Sequence, residues 1–115
     1  MEIDWIQFVE TAVFTKRVQQ HGLEEALRAL QVELVKSPTA GDVDAGTGGL
    51  RKVRIPDPAR GKGKRSGGRV HYLWIANRKR IYFLFLYTKD ELDALSKDQK
   101  KALKKIADRI VSESQ

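Results

Sequence analysis

The 115-residue chain has no cysteine and only two histidines. Without cysteine it has no disulfide scaffold, no thiolate zinc site and no cysteine nucleophile. His21 and His71 lie far apart in unlike segments, and few acidic residues stand near His71. We therefore expect no metal, no cofactor and no histidine–carboxylate pair that would activate a nucleophile.

Long apolar runs and a positively charged start are also missing. The longest apolar run, Ile81 to Tyr87, is far too short to cross a bilayer. A secretory signal begins with positive charge, whereas this sequence begins with Glu2, Asp4 and Glu10 and no Lys or Arg among them. We expect a soluble, cytoplasmic protein that does not contact a membrane.

Charge is plentiful but unevenly placed. Residues 51–80 hold eleven basic and one acidic side chain, against four and eight in residues 1–50 and seven and six in residues 81–115. A dense basic block in a chain of net charge +7 indicates a polyanionic partner, with nucleic acid as the first candidate. The alternative is a solvated basic loop without a specific partner.

The basic block is rich in glycine, but its glycines do not fit the nucleotide-binding loops. A Walker A loop ending at Gly61 or Gly63 needs an earlier glycine where Pro56 or Pro58 stands. The dinucleotide fingerprint needs a third glycine where Arg51 or Ser66 stands, for the glycine pairs at 46/48 and 61/63. Nucleotide binding by a glycine-rich loop is therefore excluded as the function of this segment.

Periodicity and turn residues predict one α+β domain spanning residues 1–115. We expect an antiparallel sheet with the helices on one face, and loops at residues 39–49 and 59–68. The expected order is strand, two helices, three strands and a C-terminal helix, at residues 2–9, 11–20, 23–36, 50–55, 69–76, 80–87 and from the capping box Ser96-Lys97-Asp98-Gln99 onward.

The strand pattern brings several basic side chains to one face. Lys52 and Arg54 are two residues apart and share a face, as do Arg69 and His71 on the next strand. If these strands are neighbours, their cations converge on a patch the size of one or two phosphates, which arginine grips in a bidentate manner. Repulsion among converging cations lowers the pKa of a lysine in their midst, so that it could accept a proton from a ribose hydroxyl.

Further residues around this patch are candidates for RNA contact. Arg51 lies on the same strand, and Lys62, Lys64 and Arg65 lie in the glycine-rich loop. Tyr87 ends a strand and could stack on a base or donate a proton. Each of these side chains also has a plain structural interpretation, as the solvated face of a strand, a mobile surface loop or part of the core.

Several segments resemble one known family. They are "VETAVFTK", "GDVDAGTGGLRKVRI", "GKGKRSGGRVHYLW", "IYFLFLYTKDELDAL" and "LSKDQKKALKKIADRI". Together they resemble the HigB branch of the RelE-like toxins of type II toxin–antitoxin systems, over almost the whole chain. The resemblance implies a fold of two N-terminal helices packed on an antiparallel sheet.

The resemblance also implies an activity. Such toxins are metal-independent, ribosome-dependent mRNA endoribonucleases that enter the ribosomal A site and cut the codon there, which stops translation. A 2′-hydroxyl attacks its neighbouring phosphate and leaves a 2′,3′-cyclic phosphate and a 5′-hydroxyl. The implied partners are mRNA on the ribosome and a cognate HigA-like helix-turn-helix antitoxin, with operator DNA contacted only through the antitoxin.

The resemblance assigns roles position by position. Lys52 corresponds to the candidate base, Arg54 to a phosphate-binding residue, Arg69 to the arginine that stabilises the transition state, and Lys89 to a basic position after the last strand. The best-known RelE pattern has an arginine beside that lysine and a tyrosine six residues further on. This chain has Asp90 and Leu95-Ser96 there, which makes Tyr87 the nearest substitute for the general acid and His71 the second.

Two other classes of function are compatible with the same fold. One is a toxin that inhibits DNA gyrase, like the related ParE branch, which would need no catalytic cations. The other is a non-catalytic RNA-binding protein, in which each basic residue would contribute affinity but no reaction.

Overall fold

The computed structural model describes residues 5–115 and is an α+β fold, as expected. Short 3-10 turns lie at Pro58–Arg60 and Ala76–Arg78. The helices and strands are β1 Gln7–Glu10, α1 Ala12–His21, α2 Glu24–Lys36, β2 Asp42–Val43, β3 Arg51–Ile55, β4 Gly68–Ile75, β5 Arg80–Thr88 and α3 Lys97–Glu113. The predicted helices and the strands at β3, β4 and β5 are confirmed. The part of the predicted first strand at residues 2–4 lies outside the described residues.

The five strands form one sheet in the order β1-β5-β4-β3-β2. Strands β2, β3, β4 and β5 pair in antiparallel fashion, but β1 pairs with β5 in parallel, from Gln7 opposite Arg80 to Glu10 opposite Phe83. The sheet is therefore mixed, and the expectation of a wholly antiparallel sheet is wrong at this edge. A parallel neighbour needs a crossover connection, and α1 and α2 supply it between β1 and the rest of the sheet.

Local signals set the limits of the first two helices. Thr11 caps α1 by accepting a hydrogen bond at its Oγ1 from the backbone N–H of Phe14, at 3.2 Å. Gly22 ends α1 in the left-handed conformation at φ 62°, which glycine adopts without steric cost. The buried faces of α1 and α2 pack with β-sheet side chains, including Phe83, into one core.

The last helix covers the opposite face of the sheet. Leu103 and Ala107 of α3 pack with Leu50, Leu73 and other side chains into a second core that contains none of the α1 or α2 residues. The expectation that all helices lie on one face is therefore wrong. Alternating apolar residues on β4 supply both cores, so the sheet is buried on two sides. None of the helices in the described chain is long and apolar enough to span a membrane.

A bulge in β5 reverses the facing of the residues that follow it. Tyr72 pairs with Phe83, but His71 pairs with Phe85, so that Leu84 is the extra residue. Strict alternation from Phe83 would have directed residue 87 toward α1 and α2. The extra residue instead places Tyr87 on the α3 face, in the second core.

Candidate functional site

Cross-strand pairing gathers the predicted site residues into two rows on the α3 face of the sheet. Arg54 of β3 lies opposite Arg69 of β4, and Arg69 lies opposite Tyr87 of β5. In the adjoining row, Lys52 lies opposite His71, and His71 lies opposite a phenylalanine of β5. We call the two rows together the arginine rows, after Arg54 and Arg69 of the first. Directly opposed residues have Cβ atoms about 4.5–5.5 Å apart. The convergence predicted for Lys52, Arg54, Arg69 and His71 is therefore present.

Lys52 and Arg54 are the accessible members of these rows. Arg54 is exposed and Lys52 is half-buried. Within residues 5–115 neither side chain forms an ion pair or a hydrogen bond. An open groove of about 630 Å³ runs along this edge of the sheet. Both side chains line it, together with Lys64 and the acidic residues Glu33 and Asp42. These two cations are free to meet an anion without first breaking an internal contact.

Arg69 is the buried cation of the site, with 5% of its surface exposed. Its Nη2 donates a hydrogen bond to the backbone carbonyl of Arg65 at 2.7 Å, whereas its buried Nη1 has no partner in the described part of the chain. It also stands directly opposite Arg54, and like charges across a ladder destabilise a sheet. A phosphate between the two guanidinium groups would satisfy Nη1 and relieve their repulsion.

His71 has a carboxylate partner that sequence reasoning missed. Its Nε2 lies 2.8 Å from Oδ2 of Asp44, whose other oxygen accepts a hydrogen bond from Nζ of Lys100 at 3.0 Å. The expectation of no histidine–carboxylate pair is therefore wrong. Asp44 lies in the loop between β2 and β3 and Lys100 in α3, so no local spacing in the sequence connects the three residues.

The protonation of this pair follows from its surroundings. Burial lowers the pKa of His71 and outweighs the hydrogen bond and charge of Asp44, while the charges of Lys52 and Lys100 act in the same direction as burial. Burial alone would raise the pKa of Asp44, but hydrogen bonds from His71 and Lys100 hold that pKa below its usual value. Neutral His71 therefore carries its proton on Nε2, and this N–H donates a hydrogen bond to the Asp44 carboxylate, which leaves Nδ1 as an acceptor. That Nδ1 is buried and has no partner among residues 5–115.

Tyr87 is almost fully buried, with 1% of its surface exposed. Its ring stacks against His71 with the centroids 5.9 Å apart, and it contacts Phe85 at 6.2 Å. Burial raises the pKa of the Tyr87 hydroxyl, Asp44 adds to that rise, and the charge of Arg69 opposes it. The phenol is thus a protonated group beside the arginine rows, and its burial prevents it from stacking on an RNA base in this conformation.

The glycine-rich loop is tied down by the surrounding structure. Asp57 and Lys62 exchange backbone hydrogen bonds at 2.8 and 2.9 Å, and Arg60 forms an ion pair with Asp57 at 2.9 Å. Lys62 forms an ion pair with Asp90 at 3.1 Å, and Lys64 lies 3.5 Å from Glu33. These contacts hold the loop in the conformation described, although the ion pairs of Lys62 and Lys64 lie at the surface and yield readily to a polyanion.

The remaining predicted residues lie outside the two rows. Arg51 points to the other face and donates hydrogen bonds to the backbone carbonyls of Gly41, at 2.7 Å, and Thr39. Lys89 follows β5, is exposed and lies 3.3 Å from Asp93. Arg65 is exposed beside Arg69. No group of three or more His, Cys, Asp or Glu side chains able to hold a metal occurs among residues 5–115.

Comparison with known protein families places the chain in one of them. The family model described as the RelE toxin of the RelE/RelB toxin–antitoxin system matches residues 7–115. The chain belongs to the RelE toxin family. It is thus the toxin of a toxin–antitoxin system, and its family implies an antitoxin partner. In this RelE-family chain, the match includes both arginine rows, the Asp44–His71 pair and the whole of α3.

Proposed function

We propose that this RelE-family toxin is a ribosome-dependent mRNA endoribonuclease of the HigB branch. The observation that carries the proposal is the pairing of Arg54 with Arg69 on one sheet face, with Arg54 free and the Arg69 Nη1 unpaired. Two guanidinium groups that repel each other in the free protein fit a phosphate whose negative charge grows during the reaction. A gyrase inhibitor has no need of such an arrangement.

The proposed reaction is transfer of the phosphodiester within the RNA strand. The ribose 2′-oxygen bonds to the neighbouring phosphorus while the bond to the 5′-oxygen of the next nucleotide breaks, giving a 2′,3′-cyclic phosphate and a 5′-hydroxyl. Lys52 takes the proton from the 2′-hydroxyl, and Arg54 and Arg69 bind the phosphate oxygens. Lys52 is placed for this role because it is half-buried, adjoins Arg54 on β3 and forms no internal ion pair in the described chain.

Tyr87 is the better of the two candidates for the general acid. It is opposite Arg69, and burial keeps its hydroxyl protonated. His71 is neutral and its free Nδ1 has no proton to donate, so its contribution is to hold the Tyr87 ring in place. Because Tyr87 is buried, it reaches the leaving oxygen only when the side chains over it move on RNA binding.

The proposed partners follow from the same site. The substrate is mRNA in the ribosomal A site of the cytoplasm. The exposed Lys64, Arg65 and Lys89 and the half-buried Lys62 contact RNA around the cleavage point. A HigA-like antitoxin with a helix-turn-helix domain silences the toxin, and operator DNA is contacted through that antitoxin. The protein needs no metal for the proposed reaction and acts as one domain.

The decisive experiment is cleavage of a defined mRNA by purified toxin, with and without programmed ribosomes, mapped to the nucleotide. We expect cuts in the A-site codon only with ribosomes present, and 2′,3′-cyclic phosphate ends. Lys52→Gln should reduce the single-turnover rate by about 10²–10⁴, and Arg54→Gln by about 10²–10³.

Lys36→Gln is the matched control, because Lys36 is an exposed lysine of α2 on the far side of the sheet. It should cleave at the wild-type rate. If Lys36→Gln and Lys52→Gln reduce the cleavage rate equally, total charge and not the site governs activity. No cleavage under any condition, with inhibition of DNA gyrase instead, would replace the proposal with gyrase inhibition. Ribosome binding without cleavage would favour a non-catalytic RNA-binding protein.

A further inference from the structure

A second group of cations lies on α3, away from the arginine rows. Lys97, Lys101 and Lys105 follow one another at intervals of four residues and are all exposed. Four residues of helix rise about 6 Å, so these ammonium groups form a line about 12 Å long. We name Lys97, Lys101 and Lys105 the α3 stripe.

The α3 stripe is distinguished from the other helix lysines by its lack of partners. Lys100 is held by Asp44 at 3.0 Å, and Lys104 by Asp108 at 2.7 Å. The three stripe lysines form no ion pair or hydrogen bond within residues 5–115, although the Asp98 side chain is nearby on the same helix. Three like charges along one helix face repel one another, so the stripe adds no stability to the free helix.

The surface beside the stripe is open to solvent. Lys97 and Lys101 line an open groove of about 470 Å³ with Ala45 and Gly46, in the loop that leads to Asp44. Asp44 in turn contacts His71, so the groove adjoins the end of the β3–β4 site. Asp44 therefore links the two regions through its contacts with His71 and with Lys100 of α3.

The α3 stripe has ammonium groups but no aromatic ring on the same helix, and this composition indicates which kind of RNA it would bind. Proteins that bind single-stranded RNA combine cations with exposed aromatic rings on which bases stack. Helix α3 contains no aromatic residue, and its exposed side chains are charged or small apart from Ile106 and Val111. A straight row of ammonium groups with no stacking platform fits the phosphate backbone of double-helical RNA, which proteins recognise through shape and phosphate contacts.

We propose that the α3 stripe docks the toxin onto a double-helical segment of ribosomal RNA while the arginine rows act on the mRNA. This inference rests on the proposed function, since it assumes that the toxin works on the ribosome. It assigns binding and cleavage to different cations: the stripe sets affinity for the ribosome, and Lys52, Arg54 and Arg69 set the rate of the reaction.

The test measures binding of purified toxin to vacant ribosomes that carry no mRNA, as a function of salt concentration. The variant Lys101→Gln/Lys105→Gln is compared with Lys16→Gln/Lys36→Gln, which removes the same charge from exposed lysines of α1 and α2 across the sheet. Loss of two phosphate contacts should lower the slope of log K against log salt by about 2 in the stripe variant and leave the control at the wild-type slope.

The remaining outcomes separate this inference from the proposed function. Stripe and control variants with the same affinity and the same slope would overturn the docking role while leaving the proposed cleavage intact. Wild-type toxin that does not bind vacant ribosomes would also overturn it. A stripe variant that binds ribosomes weakly but cleaves at the wild-type rate once ribosomes are saturating would support the division of roles, whereas loss of that saturated rate would contradict it.

Discussion

At the scale of single residues, the feature that most changes the interpretation of this protein is the Asp44–His71 pair. His71 has no exposed surface, and its ring is held between the Asp44 carboxylate and the Tyr87 ring. The sequence suggested His71 as an RNA contact because it shares a face with Arg69. A strand pattern predicts the face of a residue, but not which distant loop covers it, and here the loop before β3 covers it.

The burial of His71 predicts a dependence of stability on pH. Its folded pKa lies below the ordinary value of 6.5, so the unfolded chain takes up the proton first as the pH falls. The free energy of unfolding should therefore decrease from pH 6.5 down to the folded pKa, by at most about 1.4 kcal/mol per pH unit. The pKa of Asp44 is also lowered, from an ordinary value of 3.8, so this carboxylate changes the free energy of unfolding only below about pH 3.8 and outside this window.

Urea denaturation between pH 5 and 8 checks this dependence. Wild type and His71→Leu are compared in a His21→Gln background, so that His71 is the histidine whose titration differs. His71→Leu should show a flatter profile above pH 5. Parallel profiles for the two proteins would mean that His71 does not titrate differently on folding.

Tyr87 provides a second prediction at this scale. Tyr87→Phe removes the hydroxyl but keeps the ring that stacks on His71, and the hydroxyl forms no hydrogen bond within residues 5–115. We expect stability close to wild type and a single-turnover cleavage rate lower by about 10²–10⁴, if Tyr87 supplies the proton to the leaving oxygen. An unchanged rate would remove Tyr87 from the reaction and leave the electrostatic effect of the arginines as the main contribution.

At the scale of elements, periodicity predicted every helix and the three long strands, because their apolar faces are strongly patterned. It did not predict the two-residue β2, which is too short to show alternation, or the parallel pairing of β1, which local sequence does not specify. The bulge at Leu84 was equally hidden, since both faces of β5 are apolar. The face occupied by Tyr87 could therefore not be derived from the sequence.

Gly67 in the glycine-rich loop allows a test of why glycine is required there, either because a side chain would clash or because the backbone needs to be flexible. A Cβ atom added at Gly67 would lie 2.3 Å from the carbonyl oxygen of Ile55 and 2.9 Å from that of Gly63, both rigid backbone atoms. Gly67→Ala should destabilise the fold by roughly 1–3 kcal/mol, the usual cost of overpacking, and displace the loop beside Arg69.

Gly63→Ala is the control for the same chemical change in the same loop. A Cβ at Gly63 meets nothing within 4 Å, and its φ is not positive. Urea midpoints should therefore fall for Gly67→Ala and stay near wild type for Gly63→Ala. Equal shifts would indicate that backbone entropy, and not the close approach to Ile55, makes glycine necessary at position 67.

At the scale of the whole molecule, charge is divided unevenly among the elements. Helices α1 and α2 together hold four basic and three acidic side chains, whereas residues 51–80, which include β3, β4 and their connecting loop, hold eleven basic side chains and one acidic side chain. Composition revealed the block, but the sequence did not place α3 on the same side as the arginine rows. Only the second core, around Leu103 and Ala107, brings the lysines of α3 there.

This division predicts that the position of charge, and not its total, governs association with ribosomes. The molecule is 23 Å thick at its narrowest, against a Debye length of about 8 Å at physiological salt. Charges on α2 are therefore screened from RNA bound at the other side. Glu24→Gln/Glu25→Gln raises the net charge by two on that exposed helix and should change the association rate only at low ionic strength.

Stopped-flow measurement of association with ribosomes, at low and at physiological salt, shows whether the position of charge or the total charge governs the rate. Lys101→Gln/Lys105→Gln, which lowers the charge by two on the α3 stripe, should slow association at both salt concentrations, because the stripe contacts the ribosomal RNA directly. The Glu24→Gln/Glu25→Gln protein should become indistinguishable from wild type at physiological salt. If it instead keeps a faster rate there, long-range attraction by the total charge of +7 would be the main source of recognition.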